Sequence, residues 1–453
     1  MSGRASGPTP TRVHVRMYRV GFGDSFLITF DYRSALPDGR RQRHVLVDCG
    51  TTRQDPEGPT LADVAGLISE HCAGKLDVLV VTHRHADHLS AFQAADTATI
   101  MDRLEPDLVV RPWTDNPAAP IDAAGPVDLD DASRRYVAAL RVGQDAAGLV
   151  GHALRAGGAH GDHALNGASG LRGELARLAL DQVANQPAIE RLDGYARGAR
   201  GAYVAFGGET GIERHVPGVQ VEVLGPPTVA QWPEVTQQRS EDPDEFWMLS
   251  RDLVDHGFTE TGLDPADSRR WDVLLGDDHI GPARWLLERL DDQRVGSVLR
   301  IVRTFDGAIN NTSLILLFKV GDRRLLFSGD AQIENWSYVL APDGAENGAA
   351  LRQELSRIDL YKVGHHGSRN ATPRSLFSLW TKGGEPEHPM VALMSTLAGV
   401  HGKRPSTAVP RATLVNALRR RTQLFTTDEL GDGDPYVHVS ALTNRDDAFS
   451  RSD

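Results

Sequence analysis

Cysteine is nearly absent from this chain: Cys49 and Cys72 are its two thiols in 453 residues. Cys49 ends an apolar run and Cys72 closes a helical stretch. Two reduced, partly buried thiols are therefore expected rather than a disulfide. Long apolar runs are missing too. No window approaches 18 uninterrupted apolar residues, so no membrane-spanning helix is expected. Residues 1–10 (MSGRASGPTP) have no apolar h-region, so they do not read as a secretory signal. Residues 1–11 read as a disordered lead, 446–453 as a tail, and the cytoplasm is the expected location. Basic excess is also lacking. The 49 Lys and Arg stand against 61 Asp and Glu, a net charge of −12. That balance argues against binding nucleic acid through the whole surface, though not against local basic contacts. No short-period repeat is present.

What the chain does have is a dense set of metal-binding residue types. V81-T-H-R-H-A-D-H-L89 places His83, His85, Asp87 and His88 within six residues, directly after an apolar run. His83 and His85, two apart, can point the same way and grip one ion. Asp87 and His88 then face a second ion. Mixed imidazole and carboxylate ligands suit Zn²⁺, or Mn²⁺ where oxygen dominates. The competing reading is a solvated polar loop with incidental histidines.

Other apolar runs end in the same residue types. L325-L-F-S-G-D330 ends in Asp330, D359-L-Y-K-V-G-H-H-G-S368 in His365 and His366, and V45-L-V-D-C-G50 carries Asp48. Each reads as a buried strand with polar groups at its C-terminal end. Strands are expected at 13–20, 25–30, 44–48, 76–82 and 219–224, and a hairpin joins 313–319 to 324–328 through V320-G-D-R323. Helices are expected at 61–70, 132–150, 170–185, 281–291 and 410–420, with a last strand at 435–440. Trp232, Trp247, Trp271 and Trp285 cluster in one region, where they either line a groove or pack it against its neighbours.

In this order, H-x-H-x-D-H, LFSGD and VGHHGS resemble the metallo-β-lactamase fold. Within it, the chain is most similar to the C-terminal hydrolase domain of ComEC-type DNA-uptake proteins. V20-G-F-G-D-S-F-L-I28, VEVLGPP at 221–227 and N310-N-T-S-L-I-L316 add to the match, with weaker likeness at 401–406 and 426–432. The resemblance implies an α/β (α+β) fold, a four-layer αββα sandwich over residues 12–445. It departs from the family in lacking the membrane channel and in carrying two long insertions, at about 90–218 and 228–305.

On this reading His83 and His85 hold a first ion, Asp87, His88 and His365 a second, and Asp330 bridges them. The cofactors are two divalent ions, Zn or Mn. Held about 3.5–4 Å apart, such ions share a water and lower its pKa. Asp48 orients a ligand imidazole by accepting its other N–H. Asp87, Asp330 and His366 form the catalytic set, with His366 facing the substrate as charge stabiliser or proton donor; the alternative makes His366 purely structural. Many members of the fold add a third His to the first ion. His152, His160, His163, His215, His256 and His279 are available, and none ends a clear strand. Asn310 or Asn311 could complete that ion, or could simply form a turn. Asn311, Ser368, Arg369, Lys403 and Arg404 are the candidate substrate contacts, and their cationic members favour a phosphate. Arg419–Arg421 reads more readily as a solvated helix end.

The expected function is a metal-dependent phosphodiesterase, most simply a nuclease. The alternatives are a hydrolase of a lactone, thioester or amide, and a metal-stabilised protein that binds a partner through its insertions. Nucleic acid or another phosphodiester is the expected substrate, with a protein partner as a further expectation.

Overall fold

The computed structural model describes residues 7–116, 185–236, 242, 244–247, 307–380, 390–400, 408–444 and 448–452. In chain order the strands are β1 (Arg12–Tyr18), β2 (Ser25–Asp31), β3 (Gln42–Cys49), β4 (Val78–Val80), β5 (Leu108–Pro112), β6 (Gly201–Val204), β7 (Val219–Gly225), β8 (Ile315–Val320), β9 (Arg323–Phe327), β10 (Leu360–Lys362), β11 (Met390–Met394), β12 (Thr422–Thr426), β13 (Tyr436–Leu442) and β14 (Ser450–Arg451). They form two mixed sheets, ordered β14-β13-β1-β2-β3-β4-β5-β6 and β12-β11-β10-β9-β8-β7. In each, an antiparallel part leads into a run of parallel strands: β3 to β6 in the first sheet and β9 to β12 in the second.

Strand patterning sets how the sheets are covered. β1 alternates, with Val13, Val15 and Met17 buried beside part-exposed His14 and Arg16. β4, β5, β10 and β11 are buried throughout, as parallel strands covered on both faces must be. One core joins the two sheets face to face: Val15, Ile28, Val47, Val80 and Val110 from the first meet Val221, Leu316, Phe318, Phe327 and Leu393 from the second. The other face of the first sheet, with Leu27, Leu46 and Leu79, packs on α1 (Leu61–His71), α3 (Ala95–Leu104) and α4 (Gln186–Tyr195). A four-residue helix, α2 (Ala86–Leu89), lies between α1 and α3 in sequence, and another, α5 (Ile212–His215), precedes β7. The far face of the second sheet, with Leu317, Leu326 and Tyr361, packs on α6 (Ile333–Leu340), α7 (Gly348–Leu355), α8 (Arg374–Leu379) and α9 (Ala412–Arg421).

The expected hairpin is present as β8–β9, and Thr60 caps α1 through a reciprocal bond with Asp63. The stretch 90–218, expected as an insertion, includes elements of the first sheet and its cover. α3, β5, α4 and β6 lie inside those bounds and belong to the first sheet and its helical cover. β5 and β6 are too short, and β6 (GAYV) too poor in apolar residues, to show a period. Trp232 donates Nε1–H to Ser337 Oγ at 2.8 Å, and Trp247 donates to the Thr372 carbonyl at 2.7 Å, so these two pack against the helical layer. Trp271, Trp285 and the helices expected at 132–150 and 281–291 lie outside the described residues, as does all but Asn185 of 170–185. Cys49 and Cys72 are free and buried, and burial pushes both thiols up to about 12, leaving them unreactive. Among the described residues, no helix is long and apolar enough to cross a membrane.

The inter-sheet core yields the first prediction. Phe318 is fully buried and meets Phe327 edge-on at 5.7 Å between ring centroids. Phe318→Ala should destabilise the fold by about 3–5 kcal/mol in chemical denaturation. Lys319→Ala, one residue on and facing the other way, should cost under about 1 kcal/mol. Equal losses would place the core elsewhere.

Candidate metal centre

Strand ends of both sheets converge on one polar cluster. β3 delivers Asp48, the loop after β4 delivers His83 to His88, β9 delivers Asp330, and β10 delivers Lys362 and the two histidines that follow. Open α/β sheets commonly bind ligands at such carboxyl ends. Two glycines permit the close approach. A Cβ on Gly50 would fall 2.5 Å from the Ala86 carbonyl oxygen and the Leu89 nitrogen, so glycine lets α2 lie on the end of β3. Gly329, at φ +49°, has the Thr82 side chain where a Cβ would stand, 2.8 Å away. Asp48 itself takes a left-handed φ of 57°, a strained position for a residue with a Cβ.

The donor atoms of Asp87, His88, Asp330 and His366 lie within 4.8 Å of one another. His88 Nδ1 is 2.8 Å from Asp48 Oδ2, which leaves Nε2 facing Asp330 Oδ2 at 3.3 Å and Asp87 Oδ1 at 3.9 Å. His366 is anchored likewise: Nδ1 lies 3.1 Å from the Ser395 carbonyl oxygen and Nε2 lies 3.0 Å from Asp87 Oδ2. His88 is fully buried, and its Nε2 has no well-formed hydrogen bond to any described group. An imidazole fixed through one nitrogen, with the other turned toward carboxylates, is the arrangement of a metal-ligating histidine. The residues present therefore fit a divalent ion. Beside them, His83 Nε2 and His85 Nδ1 are 3.0 Å apart, and the His83 and His88 rings are 4.1 Å apart.

The paired histidines require a correction. His366, not the expected His365, joins the carboxylate cluster. Residues 365 and 366 both have left-handed φ, 44° and 51°, in a single tight turn. That turn sends consecutive side chains apart and carries the second inward. His365 stays part-exposed, its Nδ1 3.0 Å from Ser368 Oγ, while its backbone N–H donates to Asp330 Oδ1 at 3.0 Å. Among the described residues, His366 rather than His365 thus stands with the candidate ligands.

Electrostatics fit a cation site. Burial alone would raise the Asp330 carboxyl, but His88, His366 and Lys362 hold it well below the usual range. Asp87 is likewise lowered against its burial by His88 and His366. Burial would lower His88 and His366, yet the surrounding carboxylates raise both: Asp330, Asp48 and Asp87 for His88, and Asp24, Asp330 and Asp87 for His366. Burial, with His88 and His85 nearby, drives His83 well below an ordinary imidazole.

The expected substrate contacts fall as follows. Asn311 Nδ2 reaches Glu334 Oε2 at 3.3 Å. Ser368 bridges His365 and Asn370, and the Arg369 guanidinium lies over the Phe246 ring at 5.7 Å. Lys403 and Arg404 lie outside the described residues. So do His152, His160, His163, His256 and His279. His215, the remaining third-histidine candidate, sits on α5, and its carbonyl oxygen accepts from Arg43 Nε at 3.1 Å. Two buried residues escaped sequence reasoning, Asp24 and Lys362. A lysine inside an apolar run was the available signal, because a buried cation requires a partner. No protein-family model and no curated protein matches the chain.

Two predictions follow from this geometry. His366→Ala should weaken Mn²⁺ or Zn²⁺ binding at least about 10-fold, while His365→Ala keeps the metal. Metal analysis after equilibrium dialysis checks this, and the opposite pattern would restore His365 as ligand. Second, with their pKa values raised, His88 and His366 hold protons that an incoming ion must displace. Metal uptake near neutral pH should release protons, and affinity should rise with pH until both imidazoles are neutral. Calorimetry in buffers of different ionisation enthalpy measures the release; none detected would refute the assignment.

Proposed function

We propose that the chain is a metal-dependent hydrolase of the metallo-β-lactamase type, similar to the ComEC hydrolase domain, and that it cleaves phosphodiesters. The observation that carries this reading is the buried convergence of Asp87, His88, Asp330 and His366, with both imidazoles anchored through Nδ1 and directed inward through Nε2. Two sheets packed face to face between helical layers, with the cluster at their strand ends, support the αββα sandwich of that family.

Asp87, His88, Asp330 and His366 would hold a divalent ion, and the His83–His85 pair would take a second. Ions bound there would supply Lewis-acid activation of water and of the substrate's oxygen. Asp48 keeps His88 turned toward the centre. His365, part-exposed and 3.0 Å from Ser368 Oγ, would be the candidate to donate a proton to a leaving group. The preference for phosphate rests on Arg369 and, from the sequence motifs alone, on Lys403 and Arg404, which lie outside the described residues. A guanidinium suits a phosphate better than it suits a neutral acyl group.

The test is a panel of bis-aryl phosphodiesters, single- and double-stranded DNA and RNA, lactones and thioesters, each with Zn²⁺, Mn²⁺ and Mg²⁺. Phosphodiester turnover should exceed acyl turnover, and Asp330→Asn should abolish it, a loss of about 100-fold or more. Preferred acyl turnover would make this a lactone, thioester or amide hydrolase. Stoichiometric metal without turnover of anything in the panel would leave a metal-stabilised binding protein.

A further inference from the structure

Lys362 is buried at the end of β10 and ion-paired with the equally buried Asp24. Its Nζ also donates to the Gly329 carbonyl at 2.9 Å and lies 3.5 Å from Asp330 Oδ1. Three oxygens from two separate loops therefore meet at one ammonium. Gly329 and Asp330 are consecutive, so Lys362 holds both the backbone before Asp330 and one side of its carboxylate. The His365 N–H occupies that same oxygen at 3.0 Å. With Oδ1 held twice, Oδ2 is the oxygen left to face His88 Nε2 at 3.3 Å and His366 Nε2 at 3.8 Å. Asp24 ties the lysine to the opposite loop, since its own N–H donates to the Asp87 carbonyl at 2.9 Å.

We propose that Lys362 and Asp24 are positioning residues that fix Asp330 so that it offers a single oxygen, Oδ2, to the metal. This rests on the metal-centre reading. It also opposes what charge alone predicts. A lysine beside a cation site repels the cation, so by Coulomb's law its removal should tighten metal binding. If positioning dominates, its removal should weaken binding, because a mobile Asp330 must be ordered again at each binding event. Neutralising Asp24 should weaken binding on either account, since it removes a negative charge beside the site and frees Lys362 to compete for Asp330.

The experiment is Co²⁺ titration of the full chain, read by dialysis and by the visible d–d bands that report ligand geometry. Asp24→Asn, nearly isosteric, should weaken Co²⁺ binding about 10-fold. The double variant Lys362→Met/Asp24→Asn removes one charge of each sign, so charge alone predicts little change, whereas positioning predicts binding weaker by about 10–100-fold and shifted bands. Melting temperature and circular dichroism establish that each variant is folded. Folded variants with wild-type or tighter affinity and unchanged bands would overturn the proposal. So would loss of the native fold in both variants, since a purely structural role would then suffice. Failure of the wild type to bind Co²⁺, Mn²⁺ or Zn²⁺ would instead remove the metal-centre reading itself.

Discussion

The centre depends on one electrostatic constraint: four carboxylates, Asp24, Asp48, Asp87 and Asp330, are nearly or fully buried within reach of the same imidazoles. Removing an ionised carboxylate from water costs several kcal/mol unless a cation or a set of donors compensates. Asp48 is compensated by the Thr82 N–H and hydroxyl, at 2.7 and 2.6 Å, and by His88. Asp24 has Lys362. Asp87 and Asp330 share His88 and His366, whose raised pKa values show how strongly the site favours positive charge. A divalent ion would satisfy the same demand more compactly.

That constraint accounts for the placement of much of the surrounding fold. Parallel strands buried on both faces expose their polar backbone only at their ends, and both sheets bring such ends to the same place. The inter-sheet core holds the ends in register, so Asp48 of the first sheet and Asp330 of the second can both reach His88. A further ion-pair chain braces the H-x-H loop from outside. Arg84 binds Asp115 at 2.6 Å, and the fully buried Arg111 binds Asp115 and Asp193. This chain links the loop to residues on either side of 117–184.

The sequence alone determined the elements with strong local signals. Alternation placed β1, the Gly-Asp turn placed the β8–β9 hairpin, and helical spacing placed α1. The dense H-x-H-x-D-H run and the Gly-Asp and Gly-His-His strand ends marked residues that do gather at the centre, because side chains at buried strand ends have few other places to go. The short strands β5 and β6 left no readable period, and their place in the sheet is fixed by pairing, β5 with β4 and β6 with β5, rather than by their own composition. Only the tertiary structure decided between His365 and His366. Sequence puts both at the end of one strand, whereas the left-handed backbone of the turn selects which imidazole points inward. It alone, too, joined Asp24 to Lys362 across 338 positions, because a buried ion pair is chosen by the packing of two loops and leaves no periodic trace in either.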